Sequence, residues 1–215
     1  MIHKGNTYML SKLEQRVLAI SYKYKLYHIG SCLTAVRLID GIFQVKKKDD
    51  PFILSSGHAG VALYVVLEKN GYGDAEELFL AHGVHPNRDI KHGIWASTGS
   101  LGHGLPIALG MAFADKTRDV YVLTSDGEMN EGSMWEALRI AAENRIENLK
   151  VMVNANGWSA YNKVDSDWLD LRMQYFYPSL IQKTNMYQFP EWLQGQQAHY
   201  TVMTEEQYKE ITNAS

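Results

Sequence analysis

Residues 119–158 limit the possible folds of this chain more than any other segment. Asp119–Thr124 has the length and β-branched content of a buried strand. From Glu131 to Ile146, apolar side chains recur every four positions, which predicts a helix packed along one face. Leu149–Val153 then predicts a second strand. A strand, a helix and a strand in this order favour a parallel βαβ unit.

The flanking sequence extends this pattern on both sides. Further helices are predicted at Leu10–Tyr24, Ser31–Val45, His58–Glu68 and Ser100–Phe113, further strands at Phe52–Leu54 and Leu180–Asn185, and a loop at Ala81–Gly99. The alternation predicts an α/β fold with a mainly parallel sheet and helices on both faces. Asp165–Gln197 shows no sustained period, and we expect irregular packing elements around its strand.

Composition narrows the class of protein. The 215 residues fit one domain, and a net charge of −3 gives no reason to expect nucleic acid or an anionic membrane as a partner. The single cysteine, Cys32, cannot form an internal disulfide, which suits a reducing compartment. Met1–Leu10 lacks an apolar stretch of signal-peptide length, and no apolar run is long enough for a membrane span. These features predict a cytoplasmic protein.

Polar side chains follow both strands of the βαβ unit. Asp126 comes after the first strand and is followed by Gly127; Asn156 comes after the second. The carboxyl ends of parallel strands meet at one edge of a sheet, where ligands of open α/β folds bind. Two oxygen ligands and a backbone carbonyl suit Mg²⁺, and the amides at the turn and helix start suit an anion. Although Asp-Gly and Asn-Gly are common turns, their order here predicts a diphosphate site.

This arrangement resembles the thiamine diphosphate fingerprint, Gly-Asp-Gly followed about thirty residues later by Asn. Ser125 stands in place of the first glycine, and Asn156 falls thirty positions after Asp126. The motif over residues 126–137, Asp-Gly-x-x-x-Glu-Gly-x-x-Trp-Glu-Ala, is similar to the corresponding motif of the transketolase family.

Further segments carry the same resemblance along nearly the whole chain. They are His28-Ile29-Gly30-Ser31, Leu54-Ser55-Ser56-Gly57-His58-Ala59, His85-Pro86, Thr98-Gly99-Ser100-Leu101-Gly102-His103-Gly104 and Ala198-His199-Tyr200. The first departs from the family's Gly-His-Pro-Gly at Tyr27 and Ile29, and the fourth carries His103 where the family has glutamine.

The resemblance implies a role for each matching residue. Asp126 and Asn156 would bind Mg²⁺ (or Ca²⁺ or Mn²⁺) through their side chains and Trp158 through its carbonyl. The thiamine diphosphate contacts would come from His58, Gly99, Ser100, Leu101, Gly102, Gly127, Glu128 and His199. The proton-transfer groups would be His28, His58, His85 and His199, with Glu131 at a subunit interface.

The resemblance also implies a divided enzyme. Residues 1–215 correspond to the single diphosphate-binding domain of the three-layer thiamine diphosphate fold, closed by a short segment at about 165–215. Nothing in the chain resembles the domain that supplies the activating glutamate. We therefore expect a separate pyrimidine-binding partner chain, a heterotetramer of two plus two chains, and a sugar or sugar phosphate substrate.

Two other functions stay open at this point. An α subunit of a 2-oxo acid dehydrogenase shares the Asp-Gly to Asn fingerprint, but it lacks the elements at Ser56 and Thr98. A non-catalytic scaffold would explain the departures at Tyr27, His103 and Ser125, but it gives no reason to keep the polar residues. Consumption of a ketose phosphate, compared with decarboxylation of a 2-oxo acid, separates the two enzymatic alternatives.

Overall fold

In the part of the chain that the structure describes, four parallel strands form one sheet in the order β1–β2–β3–β4. The computed structural model describes residues 9–178, 180–184 and 186–213. The strands are β1 (Phe52–Leu54), β2 (Val120–Ser125), β3 (Leu149–Ala155) and β4 (Leu180–Lys183). Asn185, the predicted end of the last strand, lies outside the described residues.

Side chains cap the amino ends of three helices. Within the described part of the chain the helices are α1 (Lys12–Lys23), α2 (Ile29–Val45), α3 (Gly60–Lys69), α4 (Ala75–His82), α5 (Gly104–Ala114), α6 (Gly132–Glu143), α7 (Ser166–Phe176) and α8 (Glu205–Asn213). Ser11 and Glu14 form a reciprocal capping box at α1. Asp74 caps α4, and Asp165 caps α7, by accepting hydrogen bonds from backbone amides of the first turn.

The sheet separates two hydrophobic cores. Phe52, Leu54 and Leu123 face the core that α1, α2 and α3 complete, whereas Ile53 and Val122 face the core of α5, α6 and α7. Neighbouring strand residues thus point to opposite sides, as pleating requires. The predicted α/β class, with a parallel sheet and helices on both faces, is confirmed.

The structure corrects the sequence-based elements in three places. Helix α5 begins at Gly104, so Ser100 to His103 form a turn and not the first helical turn. Helix α4 was not predicted, and α7 is a regular helix in the segment expected to be irregular. In the parts of the chain that the structure describes, no helix has the length and apolar character needed to cross a bilayer.

Candidate active site

A cleft of about 590 Å³ opens at the carboxyl edge of the sheet. The segments that follow β1, β2 and β3 form much of its wall, and His28, His85 and His199 reach it from more distant parts of the chain. Its volume lies within the range of small-molecule sites. Each of these three strands therefore delivers its following turn to one shared space.

Asp126 is the buried acid at the end of β2. Its Oδ1 accepts a hydrogen bond from the amide of Gly127 (2.9 Å) and its Oδ2 accepts one from the amide of Gly157 (2.6 Å). The side chain is 1% exposed. Burial raises the pKa of Asp126 to about 7, although backbone hydrogen bonds offset part of this effect. A cation beside this carboxyl would favour its ionised form.

The residues expected to bind a metal fit a divalent cation chemically. Asn156 lies at the end of β3, buried, and its Oδ1 accepts a hydrogen bond from the amide of Trp158 (3.0 Å). Asp126 and Asn156 are joined through the Gly157 turn, so two hard oxygen donors and nearby carbonyls lie together. The described residues contain no cluster of three or more His, Cys, Asp or Glu suited to a metal. A cation here needs ligand oxygens from its anion, as a diphosphate would supply.

Three histidines from distant segments form one cluster beside this turn. The ring centroids of His28 and His58 are 4.9 Å apart, and those of His28 and His199 are 5.9 Å apart. The amide of His28 donates to the carbonyl of His199 (3.1 Å), and Ser31 Oγ lies 3.3 Å from His199 Nδ1. His28 Nδ1 and His199 Nε2 are buried and have no hydrogen-bond partner within the described residues. These two nitrogens are available to a ligand.

Burial keeps the histidine cluster uncharged at neutral pH. It lowers the pKa of His28 to about 4 and that of His58 to about 3, and the neighbouring imidazoles add to both shifts. Burial also lowers the pKa of His199. A neutral imidazole has one donor and one acceptor nitrogen, so each ring can both donate a hydrogen bond to a ligand and accept one from it.

The loop at residues 99–102 depends on two close backbone approaches. A Cβ on Gly57 would lie 2.6 Å from the amide nitrogen of Gly99, and a Cβ on Gly99 would lie 2.9 Å from the ring of His85. Gly99 also has a φ of +148°, which side-chain-bearing residues rarely adopt. The Ser-Gly-His segment after β1 is therefore packed directly against this loop and His85.

Glu128 joins three of the site segments. Its Oε1 accepts hydrogen bonds from Ser55 Oγ (2.8 Å) and from the amide of Gly102 (3.0 Å). The side chain is 0% exposed, and its Oε2 has no partner among the described residues. Burial raises the pKa of Glu128 to about 7. Through Glu128, the turn after β2 fixes the loop before α5.

The structure thus gathers most of the predicted site residues around one cleft. Leu101 and Glu131 line the cleft with exposed side chains. Ser100, Gly102 and Asp126 are not among its lining residues; Ser100 is exposed and Asp126 is buried. Several residues without a predicted site role also line or support the cleft, among them Ser31, Ser55, Lys163 and Arg172. Arg172 was missed because α7 was not predicted as a helix.

The fold and site define a class of protein: an α/β chain with acid and amide oxygens and neutral histidines at one sheet edge. Residues 16–177 match the family described as "Transketolase, thiamine diphosphate binding domain". The chain belongs to this family.

Individual relatives agree with this assignment. The chain is 33% identical over 165 residues to an apulose-4-phosphate transketolase subunit of Phocaeicola vulgatus, an alignment covering 67% of this chain and 58% of the relative. It is 34% identical over 183 residues to the same-named protein of Actinobacillus succinogenes, covering 70% and 66%. The chain therefore spans less than two thirds of these relatives. A mutant transketolase from Pichia stipitis has the same fold, with a TM-score of 0.76 and 21% identity over 95% of this chain and 41% of the other.

Proposed function

We propose that this chain is the diphosphate-binding half of a two-chain transketolase that uses thiamine diphosphate and Mg²⁺. The reaction moves a two-carbon ketol unit from a ketose or ketose phosphate to an aldose acceptor. The observation that most supports this function is the shared cleft, which Asn156 and the neutral histidines line and beside which Asp126 is buried against the Gly157 amide. Two relatives are named as subunits of a transketolase for a sugar phosphate, which supports the substrate class.

The oxygen donors at the ends of β2 and β3 would anchor the cofactor. Asp126 and Asn156 would bind Mg²⁺ through their side chains, with the Trp158 carbonyl as a third protein ligand, and the cation would hold the diphosphate. At the Gly127 turn, the backbone would come close enough to contact the same diphosphate. Ca²⁺ or Mn²⁺ could occupy the same donor set.

The histidine cluster would move protons at the substrate. When bound, thiamine diphosphate supplies a carbon nucleophile and an electron sink. His28, His58 and His199 are neutral, so each can accept a proton from a substrate hydroxyl or donate its N–H to an oxyanion. His85, exposed beside Gly99, would act on the same substrate from the outer side of the cleft.

The remaining site elements imply a second chain. The Gly99–Gly102 loop, positioned by Glu128, would contact the aminopyrimidine ring. Glu131 is exposed at the start of α6, where it would face the partner's activating glutamate. We propose a pyrimidine-binding partner, a two-plus-two assembly and a cytoplasmic location. We also propose that residues 1–215 act as one domain closed by about 165–215.

Calorimetric titration of thiamine diphosphate with Mg²⁺ into the full chain tests this function. Binding should require Asp126, so Asp126→Ala should abolish it. Asp119→Ala is the matched control, because Asp119 precedes the opposite, amino end of the same strand. Binding should tighten when a candidate pyrimidine-domain chain is added, and the mixture should then consume a ketose phosphate.

Other results would reject parts of the proposal. Binding that survives Asp126→Ala would remove the proposed metal site. No binding with or without a partner would favour a non-catalytic scaffold. Decarboxylation of a 2-oxo acid without ketose consumption would assign the chain to the dehydrogenase type.

A further inference from the structure

Positive charge along the described lining of the cleft is confined to Lys163 and Arg172. The lining also holds carboxylic acids, and its buried histidines are neutral at neutral pH because burial lowers the pKa of each. An anion in the cleft therefore meets two cationic side chains from this chain. Both lie in the segment between β3 and β4.

Two indole rings hold the guanidinium of Arg172. Its Cζ lies 5.0 Å from the ring centroid of Trp135 on α6 and 5.9 Å from that of Trp168, one turn earlier on α7. Trp135 is itself fixed, since its Nε1 donates to the carbonyl of Met129 (2.8 Å). Stacking of this kind orients the planar guanidinium and leaves its edge for hydrogen bonds.

Within the described residues, Arg172 forms no hydrogen bond or ion pair, and its buried Nε has no partner. Arg118 offers an instructive contrast. It also lies over a tryptophan, Trp95, at 5.7 Å, but it is paired with Asp115 at 2.7 Å and donates to the carbonyl of Asp49. Partly buried donors are normally satisfied. An oxyanion would satisfy Arg172.

Lys163 lies on the same side of the site. An isolated antiparallel bridge pairs Lys163 with Trp158, whose carbonyl is a proposed cation ligand. Lys163 is exposed, and no hydrogen bond or ion pair engages its ammonium within the described residues. The bridge thus places the backbone of a second cationic residue next to Trp158, and Lys163 lines the cleft.

We propose that Arg172, assisted by Lys163, forms a phosphate-binding subsite of the cleft. The subsite deepens the proposed function and rests on it for the source of the phosphate, which is either the cofactor's diphosphate or the phosphate of a sugar substrate. Guanidinium groups bind phosphate through two parallel hydrogen bonds, and lysine binds it as a point charge.

Tryptophan fluorescence of the full chain, titrated with inorganic phosphate at constant ionic strength, tests the subsite. Two of the five tryptophans flank Arg172, so the signal reports directly on its surroundings. Arg172→Gln should weaken phosphate binding by about tenfold or more, the size expected for lost charge-assisted hydrogen bonds. The phosphate affinity of Arg172→Lys should lie between those of wild type and Arg172→Gln, because lysine keeps the positive charge but lacks the planar guanidinium.

Arg118→Gln is the matched control, since it removes a stacked guanidinium that lies outside the cleft lining. It should leave phosphate affinity within about twofold, and unfolding curves should show that every variant is folded. Equal affinity of wild type and Arg172→Gln, or no phosphate binding to wild type, would overturn the proposal. So would weaker partner association with unchanged phosphate and cofactor binding, because Arg172 would then pair with a partner carboxylate.

Repeating the titration on chain saturated with thiamine diphosphate and Mg²⁺ identifies the source. If the cofactor abolishes phosphate binding and Arg172→Gln weakens the cofactor, the subsite holds the diphosphate. If phosphate still binds, the subsite is open to a substrate phosphate. Asp126-dependent cofactor binding, together with phosphate binding that Arg172→Gln leaves unchanged, would reject the subsite alone. Phosphate binding at Arg172 without cofactor binding would reject the proposed function alone.

Discussion

Replacing Glu128 with glutamine tests the electrostatics of the site with little change in shape. Glutamine keeps the Oε1 acceptor, so the hydrogen bonds from Ser55 Oγ and the Gly102 amide can remain. It removes the only titration at this position. Because the carboxyl is fully buried, its protonation should be visible in the stability of the chain.

The magnitude follows from the pKa shift. Burial raises the pKa of Glu128 from 4.5 to about 7, so the folded chain holds this proton more tightly than the unfolded chain does. The resulting stability is fully present below pH 4.5 and is lost as the pH rises through 7. Between pH 5 and pH 8 the loss amounts to about 2.5 kcal/mol. Glu128→Gln should lose no stability from this source between pH 5 and pH 8, because glutamine does not ionise.

The difference between the two proteins is more informative than either pH profile alone. His28 and His58 have lowered pKa values, so the unfolded chain binds their protons more tightly and their effect has the opposite sign. These histidines are present in both proteins, and their contribution cancels in the difference. The difference therefore isolates Glu128.

Urea denaturation in metal-free buffer at pH 5, 6, 7 and 8 measures this difference. Glu128→Gln should be less stable than wild type at pH 5, and the difference should shift in favour of the variant by about 2.5 kcal/mol by pH 8. Glu136→Gln, at an exposed position where Arg139 lowers the carboxyl pKa, should show a constant difference across this range. A constant difference for Glu128→Gln as well would refute the assignment of a raised pKa to Glu128.

Three further predictions concern the same site. His28→Asn introduces a residue that tolerates the left-handed φ of 60° and removes an imidazole whose pKa is lowered. From pH 7 to pH 5, denaturation curves should show the stability of the variant falling by about 2 kcal/mol less than that of wild type. Equal falls in the two proteins would contradict this. Gly57→Ala forces a Cβ to within 2.6 Å of the Gly99 amide nitrogen and should cost about 1–3 kcal/mol in urea denaturation; an unchanged midpoint would refute the close approach. Cofactor and Mg²⁺ binding should release about half a proton at pH 7, because Asp126 has a pKa of about 7 and must ionise. Calorimetry in buffers of different ionisation enthalpy measures the number of protons released. In Asp126→Asn, no proton should be released from this position.

The central βαβ unit was predictable because local and global signals agree there. The four-residue apolar repeat predicted α6, and the runs of β-branched residues predicted β2 and β3. The sequence around α4 does contain helix boundary signals. Asp74, followed by Glu76 and Glu77, is typical of a helix start, and Gly83 is typical of a helix end. Helix α7 was harder to identify. Leu169 and Met173 are its only buried side chains, and exposed apolar residues such as Trp168 and Leu171 hide the period.

The geometry of the site was beyond reach of sequence patterns. Ser31 and His199 meet although 168 positions separate them, and Ser55 reaches Glu128 across 73 positions. Family resemblance pointed to many of the residues that the structure brings together at the cleft. It could not reveal that burial neutralises them, because desolvation depends on the packed surroundings of each group.

Burial moves the titratable groups at the cleft in one common direction, and this affects how ligands bind there. Burial raises the pKa of Asp126 and Glu128 and lowers that of the histidines, so every shifted group in the cleft moves toward its neutral form. At pH 7 an isolated cation would meet an Asp126 that is about half protonated, and an isolated diphosphate would meet uncharged imidazoles. Bound together, the cation ionises Asp126 and the diphosphate neutralises the cation, while Arg172 and Lys163 remain for any excess negative charge. We therefore expect Mg²⁺ and the diphosphate to bind weakly when alone and strongly as a pair, with a coupling free energy that is reciprocal.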